Sequence, residues 1–326
     1  MKSLKLSGML ALSAGLLAVT GAQAREKAPA TCDRACLIKL TDQYLAAVVA
    51  HDPTRAPLAP YIVTVDNIKR IKPGEGLWKD VTAGPTTFKI YIPDEDMQEA
   101  AFMGVLQVGG KPFELALRLK IKDGKITEAE HLYANAERTI AALQTPRAGL
   151  VTEVPVERRL GHDELMRIGI QYYDALDDND GSKMPFAEDC ERHENGMTTA
   201  GPNAGSGPGV DPKVPPVDGH CAAQLDSNSF AYIKYINDRR IVAADPVTGL
   251  AIGFSQFRHP FDNLPYMVKH VNGMYSERNA QNMKYDPFDM PAAHIFKIGA
   301  DHKVHEIEAV GIVVPYKSPT GWEPQD

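Results

Sequence analysis

Two stretches of this chain carry the same pattern of apolar and polar positions. In residues 37–67 and again in residues 165–196, apolar side chains recur three, four and seven positions apart, which predicts an amphipathic helix in each. Each predicted helix ends in a polar turn, at Asp52-Pro53 and at residues 177–181. The stretches align without a gap at a shift of 128 positions. The aligned pairs include Leu37/Leu165, Tyr44/Tyr172, Asp52/Asp180, Pro57/Pro185, Asp66/Glu194 and Asn67/Asn195.

Runs with strand-like composition follow each stretch. A short second helix or turn is expected first, around residues 56–60 and 184–189. The predicted strands then cover residues 88–92, 101–108, 113–121 and 125–133 in the first half and 240–246, 249–257, 292–298 and 304–314 in the second. By the last strands the shift has grown from 128 to 178 positions, so the second half carries insertions. These lie at residues 198–219 and 259–291, and patternless loops of such length are usually functional or disordered.

We interpret the repeated pattern as an internal duplication in which each copy forms a domain. The expected division is a first domain at residues 30–145, a linker at 146–159 and a second domain at 160–320. Pro146 and Pro155 with paired charges mark the linker. The second domain carries both insertions and is expected to bear the pocket, whereas the first is expected to be mainly structural.

The beginning of the chain predicts export. Lys2 and Lys5 precede a short apolar run, and an A-x-A cleavage signal ends at Ala24, so residues 1–24 are expected to be a signal peptide. No later stretch is apolar enough to span a membrane, which favours a periplasmic or secreted protein. In such a compartment the cysteines are expected to form bridges. We pair them locally, as Cys32–Cys36 and Cys190–Cys221, which is one of three possible connectivities.

Charge and motifs exclude several classes of function. The chain has a formal charge of −7 and no basic stripe, so nucleic acid is not expected as a partner. The sequence contains no HExxH, G-x-S-x-G, Walker A or C-x-x-C motif, which argues against a zinc protease, an ordinary serine hydrolase, a nucleotide enzyme and a dithiol oxidoreductase. We therefore expect no cofactor and no metal site.

Several segments resemble one protein family over nearly the whole chain after residue 24. They include QYYDALDDND, PFAEDCERHENG, HIFKIGADHKVHEIEAVG and VVPYKSPTGW. They are similar to a secreted, tandem NTF2-like (SnoaL-like) family carried as a domain of unknown function. The resemblance implies an α+β fold, with two cones in each of which a curved antiparallel sheet wraps a long N-terminal helix. It also implies that the two domains pack as a pseudo-dimer, and a homo-oligomer stays possible. Proteins of this fold include isomerases, lyases, cyclases and pure binding domains, so the fold leaves the activity open.

The candidate catalytic residues lie in the second domain. Strand alternation puts His294 on one face with Phe296, and Ala293 and Ile295 on the other. If that face lines the cone, His294 can act as a general base; the alternative is a structural histidine bonded to a neighbouring strand. His193 and Glu194 are a second acid/base pair, although Glu194 followed by Asn-Gly is also typical of a strand end and turn.

Five further residues are candidates for substrate binding. Tyr172 lies on the core face of its helix, where a phenol contacts either a ligand or the core. Arg239 is a candidate to hold a carboxylate or phenolate. Arg258, His259 and Asp262 open the second insertion, which is expected to close over His294 as a lid; the alternative is a solvated loop.

Two functions follow as hypotheses. In the first, the protein is a cofactor-independent lyase or isomerase that acts by acid/base chemistry on a small aromatic or carbonyl-containing molecule, with lignin-derived compounds among the candidates. In the second, it is a non-catalytic module that binds a small molecule or a protein. A pocket in which polar side chains converge favours the first, and an entirely apolar pocket favours the second.

Overall fold

The computed structural model describes residues 31–201, Ala204 and residues 219–324. The predicted signal peptide and most of the first insertion therefore lie outside the described residues. No helix within the described ranges has the length and apolarity that crossing a membrane requires.

The first half is a helix packed on one face of a curled, mixed sheet. Asp33 caps the helix by accepting a hydrogen bond from the Cys36 backbone N–H at 2.8 Å. Within the described residues, the sheet order is β2-β1-β7-β6-β5-β3, and β4 also pairs with β5. The elements are α1 (Arg34–Val49), β1 (Leu58–Asp66), β2 (Lys69–Ile71), α2 (Leu77–Asp80), β3 (Val81–Ala83), β4 (Lys89–Asp94), β5 (Glu99–Val108), β6 (Lys111–Lys122) and β7 (Lys125–Asn135).

The second half follows a short linking helix, α3 (Ala148–Val151), and again begins with a long helix, two strands and a short helix before its remaining strands. Its sheet order in the described part is β10-β11-β14-β15-β8-β9, with β16 paired to β14, and the second insertion adds a separate hairpin of β12 and β13. The elements are α4 (His162–Asp177), β8 (Phe186–Glu194), β9 (Met197–Ala200), α5 (Cys221–Asp226), β10 (Tyr235–Asp245), β11 (Leu250–His259), β12 (Tyr266–Lys269), β13 (Tyr275–Arg278), β14 (Phe288–Ile298), β15 (Val304–Gly311) and β16 (Val314–Pro315).

The aligned positions of the two halves share unusual backbone conformations. Asn67 and Asn195 both have positive φ, at 56° and 49°. Each asparagine ends a strand, and its side-chain oxygen accepts a 3.0 Å hydrogen bond, from the Tyr133 N–H in the first half and the Gly311 N–H in the second. Asparagine tolerates this left-handed conformation better than most residues. The gapless alignment is thus matched by local geometry.

The short helix or turn predicted around residues 56–60 and 184–189 is present in each half but lies a few residues earlier. Short 3₁₀ helices lie earlier, at Pro53–Arg55 and Gly181–Lys183, and the side chains of Asp52 and Asp180 cap them. The next residues are already extended, because a residue before proline is disfavoured from helical conformation. The chain then enters β1 and β8, which were not predicted. Both pair in parallel, with β7 and β15, so each sheet is mixed, whereas the other strand pairs are antiparallel as expected.

Both predicted disulfides are present. Cys32 is bonded to Cys36 at the beginning of α1, and Cys190 to Cys221, which ties β8 to α5.

Three apolar clusters hold the chain together. Two of them lie between a long helix and the concave face of its own sheet. The third lies between the two sheets and combines side chains such as Met103 and Leu132 with Ile252 and Ile295. Ion pairs also cross this contact, including a two-point contact of Arg240 with Glu130 at 2.8 and 3.0 Å. The outer face of each sheet is therefore covered by the other.

Candidate active site

A cavity lies between α4 and the concave face of the second sheet. Its volume is about 70 Å³. Its polar lining comes from Arg192 and Glu194 on β8, His259 on β11 and His294 on β14. Phe230, Tyr232, Phe257, Phe288 and Ala309 supply much of the remaining wall. Three of the predicted site residues, His294, Glu194 and His259, therefore meet at one cavity.

His294 is the most buried of these side chains, with 1% of its surface exposed. Its ring centroid lies 5.1 Å from that of Tyr172 and 5.5 Å from that of Phe257. The Nδ1 atom has no hydrogen-bond partner among the described residues. Burial, assisted by the positive charge of Arg192, lowers the pKa of His294 well below its usual value. The imidazole is therefore neutral near pH 7 and able to accept a proton.

The strand alternation around His294 is confirmed. Phe296 packs with the helix in the core of the second half, whereas Ala293 and Ile295 contribute to the cluster between the sheets.

Arg192 is held in place by three side chains. Its Nε donates to the Tyr172 hydroxyl at 2.9 Å, its Nη1 to Thr199 Oγ1 at 2.9 Å and its Nη2 to Glu194 Oε2 at 2.6 Å. The guanidinium also lies over the ring of Phe230 at 5.6 Å. Sequence analysis did not select Arg192, although it lies two residues before Glu194 and so shares its strand face. The result is a buried arginine–carboxylate pair at the cavity wall.

His259 stacks on Phe288, with ring centroids 4.3 Å apart. Burial lowers the pKa of His259 to about 4, so this histidine is also neutral near pH 7. This first cavity, called the inner cavity below, is thus lined by two neutral imidazoles and by the ion pair of Arg192 with Glu194.

A second chamber of about 360 Å³ adjoins the first. The two share Tyr232 and Phe288 in their walls. Phe261, Tyr266, Arg278, Met283 and Tyr285 of the second insertion line most of the rest. The insertion therefore forms a mainly aromatic outer chamber next to the cavity that contains His294.

Two predicted residues lie close to the cavity without lining it. His193 points to the opposite face of β8 from Glu194, because neighbouring strand residues alternate, and lies 3.3 Å from Glu191. His193 and Glu194 therefore lie on opposite faces of the strand and have different partners. The Tyr172 hydroxyl accepts the hydrogen bond from Arg192, so it orients that arginine and is not part of the lining.

The structure does not bring Arg239, Arg258 or Asp262 to the cavity. Each has an acidic or basic partner elsewhere. Arg239 binds Asp174 and Asp177 of α4. Arg258 alternates outward between Phe257 and His259 and pairs with Asp289. Asp262 pairs with Lys234 at the surface. These three predicted substrate-binding residues therefore do not line the cavity, because each side chain is paired with an opposite charge elsewhere in the fold.

The corresponding region of the first half is filled by side chains. His131 Nε2 lies 2.8 Å from the Tyr44 hydroxyl, and its Nδ1 lies 2.9 Å from Asp66 Oδ1. The Trp78 ring packs edge-on against Tyr44, with centroids 5.3 Å apart. Both nitrogens of this buried imidazole are occupied, which is typical of a structural histidine.

Comparisons with known proteins give a family model and a set of solved structures. The model described as "Domain of unknown function (DUF8021)" matches residues 158–311, the part that contains the cavity. No curated protein matches the chain.

Solved structures similar to this chain include NTF2-like and ketosteroid isomerase-like proteins. One is an NTF2-like protein of unknown function from Cytophaga hutchinsonii, with 12% identity over 30% of this chain and 89% of that chain, at a TM-score of 0.25. Another, with a ketosteroid isomerase-like fold, is from Catenulispora acidiphila, with 14% identity over 33% and 94% and a TM-score of 0.25. A putative polyketide cyclase from Sinorhizobium meliloti has 20% identity over 29% and 94%, at a TM-score of 0.23. At these values the likenesses do not bear on the activity of this chain.

Proposed function

We propose that this protein is an exported, cofactor-independent lyase or isomerase that acts by acid/base chemistry on a small aromatic or carbonyl-containing molecule. We further propose that residues 30–145 and 160–320 are two tandem NTF2-like domains that form a pseudo-dimer, joined by a linker at 146–159. The matched backbone at Asn67 and Asn195 and the face-to-face contact of the two sheets support this arrangement.

One observation carries the catalytic proposal. His294 is a neutral, fully buried imidazole with an unpartnered Nδ1 in the described structure, and it lines a cavity together with an arginine. Buried polar atoms normally have a partner, and an exception at a cavity is a site where a ligand group can bind. Buried titratable groups with shifted pKa values also concentrate at functional sites.

The proposed step is proton transfer without a change in oxidation state. His294 removes a proton from a carbon next to a carbonyl group, and the carbonyl oxygen takes up the negative charge. Arg192 stabilises this oxygen, and Tyr172 and Glu194 hold the guanidinium in place. In an isomerase the imidazolium returns the proton to another carbon. In a lyase the enolate electrons instead form a double bond to the neighbouring carbon, a leaving group departs from that carbon with its bonding electron pair, and the imidazolium gives its proton to the leaving group.

Proton exchange offers a test that does not require the natural substrate. A panel of small aromatic ketones, aldehydes and lignin-derived compounds is incubated with the protein in D₂O, and deuterium incorporation and loss of substrate are followed by NMR. We expect at least one compound to exchange or react with the natural protein and not with His294→Gln. Equal behaviour of the two proteins towards every reactive compound would remove His294 from the mechanism.

The second candidate is a binding module without catalysis. The aromatic outer chamber favours it, because a chamber of this kind can bind a ligand without transforming it. Ligand binding without any turnover or exchange across the panel would favour this alternative.

Export has a separate test. Mass spectrometry of protein recovered from outside the cytoplasm should give an N-terminus at Arg25, and an intact Met1 in that fraction would contradict a cleaved signal peptide.

A further inference from the structure

The outer chamber has stacked aromatic walls. The Tyr232 and Phe261 rings are nearly parallel, with centroids 5.8 Å apart and planes inclined by 6°. Tyr285 also stacks on Phe261, with ring centroids 5.5 Å apart. Such walls present flat apolar surfaces that suit a planar ring.

Phe261 adopts a backbone conformation that is rare for its type. Its φ is 54°, in the left-handed region that bulky residues seldom occupy. Backbone strain of this kind persists where surrounding structure enforces it and is concentrated at functional sites. Here it accompanies the placement of an aromatic ring in the wall of the chamber.

Arg278 gives the outer chamber its charge. This side chain lines the chamber, and among the described residues it has neither an ion-pair partner nor a hydrogen-bond partner for its guanidinium. The inner cavity differs, because Glu194 already balances Arg192 there and both histidines are neutral. An anionic group on a ligand therefore finds an uncompensated positive charge only in the outer of these two chambers.

We propose that the outer chamber binds a planar aromatic ring that carries a carboxylate, with Arg278 as the carboxylate-binding residue. This inference rests on the proposed function, since it assigns the charged end of the substrate to Arg278 and the reacting end to His294. Tyr232 and Phe288 line both chambers. A single ligand that occupies both chambers would therefore contact these two rings where the chambers meet.

Isothermal titration calorimetry with a matched pair of probes tests the proposal. The probes are 4-hydroxycinnamate and its uncharged methyl ester, which share the ring and differ in charge. We expect the natural protein to bind the acid about tenfold more tightly than the ester, because a hydrogen bond to a charged group contributes that much. Arg278→Met should weaken binding of the acid about tenfold and leave the ester unchanged. Arg55→Met, at an exposed arginine of the first half, is the control and should change neither.

A second variant tests the aromatic wall. Phe261→Ala should weaken both probes about threefold to tenfold, in line with the usual contribution of an aromatic pair. Phe261→Tyr should retain binding. Circular dichroism of each variant checks that the hairpin insertion has not unfolded the protein.

The outcomes separate this inference from the catalytic proposal. Equal binding of acid and ester, unchanged acid binding in Arg278→Met, or no binding of either probe would each overturn the inference. His294→Gln should bind the acid as the natural protein does. If His294→Gln also keeps full proton-exchange activity while Arg278→Met loses the acid, the catalytic proposal fails and the carboxylate site stands.

Discussion

The two halves of this molecule carry a buried histidine on different strands of the same sheet arrangement. In the first half, Leu117 on β6 is paired with His131 on β7. In the second half, His294 on β14 is paired with Ala309 on β15. The second histidine thus lies on the strand next to the one that corresponds to the strand of His131. Ala309 occupies the position that corresponds to His131. The smaller side chain leaves space beside the second histidine, and Ala309 lines the cavity there.

The hydroxyl of the aligned tyrosine makes a different contact in each half. Tyr44 lies at hydrogen-bond distance from His131, whereas Tyr172 accepts a hydrogen bond from Arg192. The first histidine is therefore fully bonded and the second retains a free nitrogen in the described structure. Within the described residues, the same pattern of helix and sheet is thus filled by side chains around His131 in the first half and leaves a cavity beside His294 in the second.

The largest effect is expected from His294→Gln. Loss of a general base should reduce turnover of a reactive panel compound about 10²–10⁴-fold, while circular dichroism stays unchanged. His193→Gln, on the opposite face of β8, is the matched control and should retain turnover. A His294→Gln protein with full activity would contradict the contrast between the two histidines.

His131→Leu should damage stability and leave function intact. The change removes the contacts of His131 with Asp66 Oδ1 and the Tyr44 hydroxyl in the core of the first half, while the Tyr133 hydroxyl still donates to Asp66. We expect a loss of about 2–4 kcal/mol in the free energy of unfolding. Urea denaturation measures this loss, and turnover measured well below the midpoint should match that of the natural protein. A large drop in activity without a drop in stability would show that the first half is not simply structural.

Acidification should destabilise the second half through its neutral histidines. An unfolded histidine has a pKa near 6.5, whereas burial lowers that of His259 to about 4. At pH values between about 4 and 6.5 the unfolded state binds more protons than the folded state. The stability that His259 contributes is therefore fully present above about pH 6.5 and is lost as the pH falls towards 4. For His259 alone the loss at pH 5 is on the order of 2 kcal/mol.

Urea denaturation at pH 7.5 and pH 5.0 tests this dependence. The decrease in unfolding free energy should be smaller in His259→Gln than in the natural protein, and an equal decrease would contradict the assignment.

Ala309→Leu tests the cavity directly and should have the smallest effect. The larger side chain returns bulk to the position that His131 occupies in the first half. We expect ligand affinity, measured by calorimetry with a compound that reacts in the panel, to fall about tenfold. The free energy of unfolding should fall by no more than about 1–3 kcal/mol, the usual cost of overpacking. Undiminished affinity would show that ligands do not reach the wall near His294.

Periodicity predicted the regular part of this fold. Eight predicted strands match β4–β7, β10, β11, β14 and β15. They were predictable because a strand that is buried on one or both faces of a sheet has an alternating or continuous run of apolar residues. The same alternation placed His294 on the inner face. β1 and β8 were missed because their ladders are formed with strands far along the chain, at β7 and β15, and no local signal reports such pairing.

The site was only partly predictable for a similar reason. The ion pairs of Arg239 and Arg258 involve Asp174 and Asp289, which are distant in sequence, so nothing near either arginine indicated that its charge was already compensated. Conversely, Arg192 was overlooked because its role depends on Tyr172 of α4, which reaches it only in the folded protein. Arg278 lies inside an insertion that has no counterpart in the first half, so the internal comparison offered no guide to it.

The two sheet faces that pack against each other belong to a single polypeptide, so the two halves do not have to carry the same residues at their contact. A symmetric dimer of identical chains places the same residue on both sides of its contact. Here Glu130 and Glu308, related by the 178-position shift, have separate partners, Arg240 for the first and Arg147 for the second. A covalent link also holds two associating surfaces at an effective concentration of the order of millimolar, whatever the concentration of the protein. The contact between the two halves therefore does not depend on the protein concentration, and a residue changed in one half need not be changed in the other.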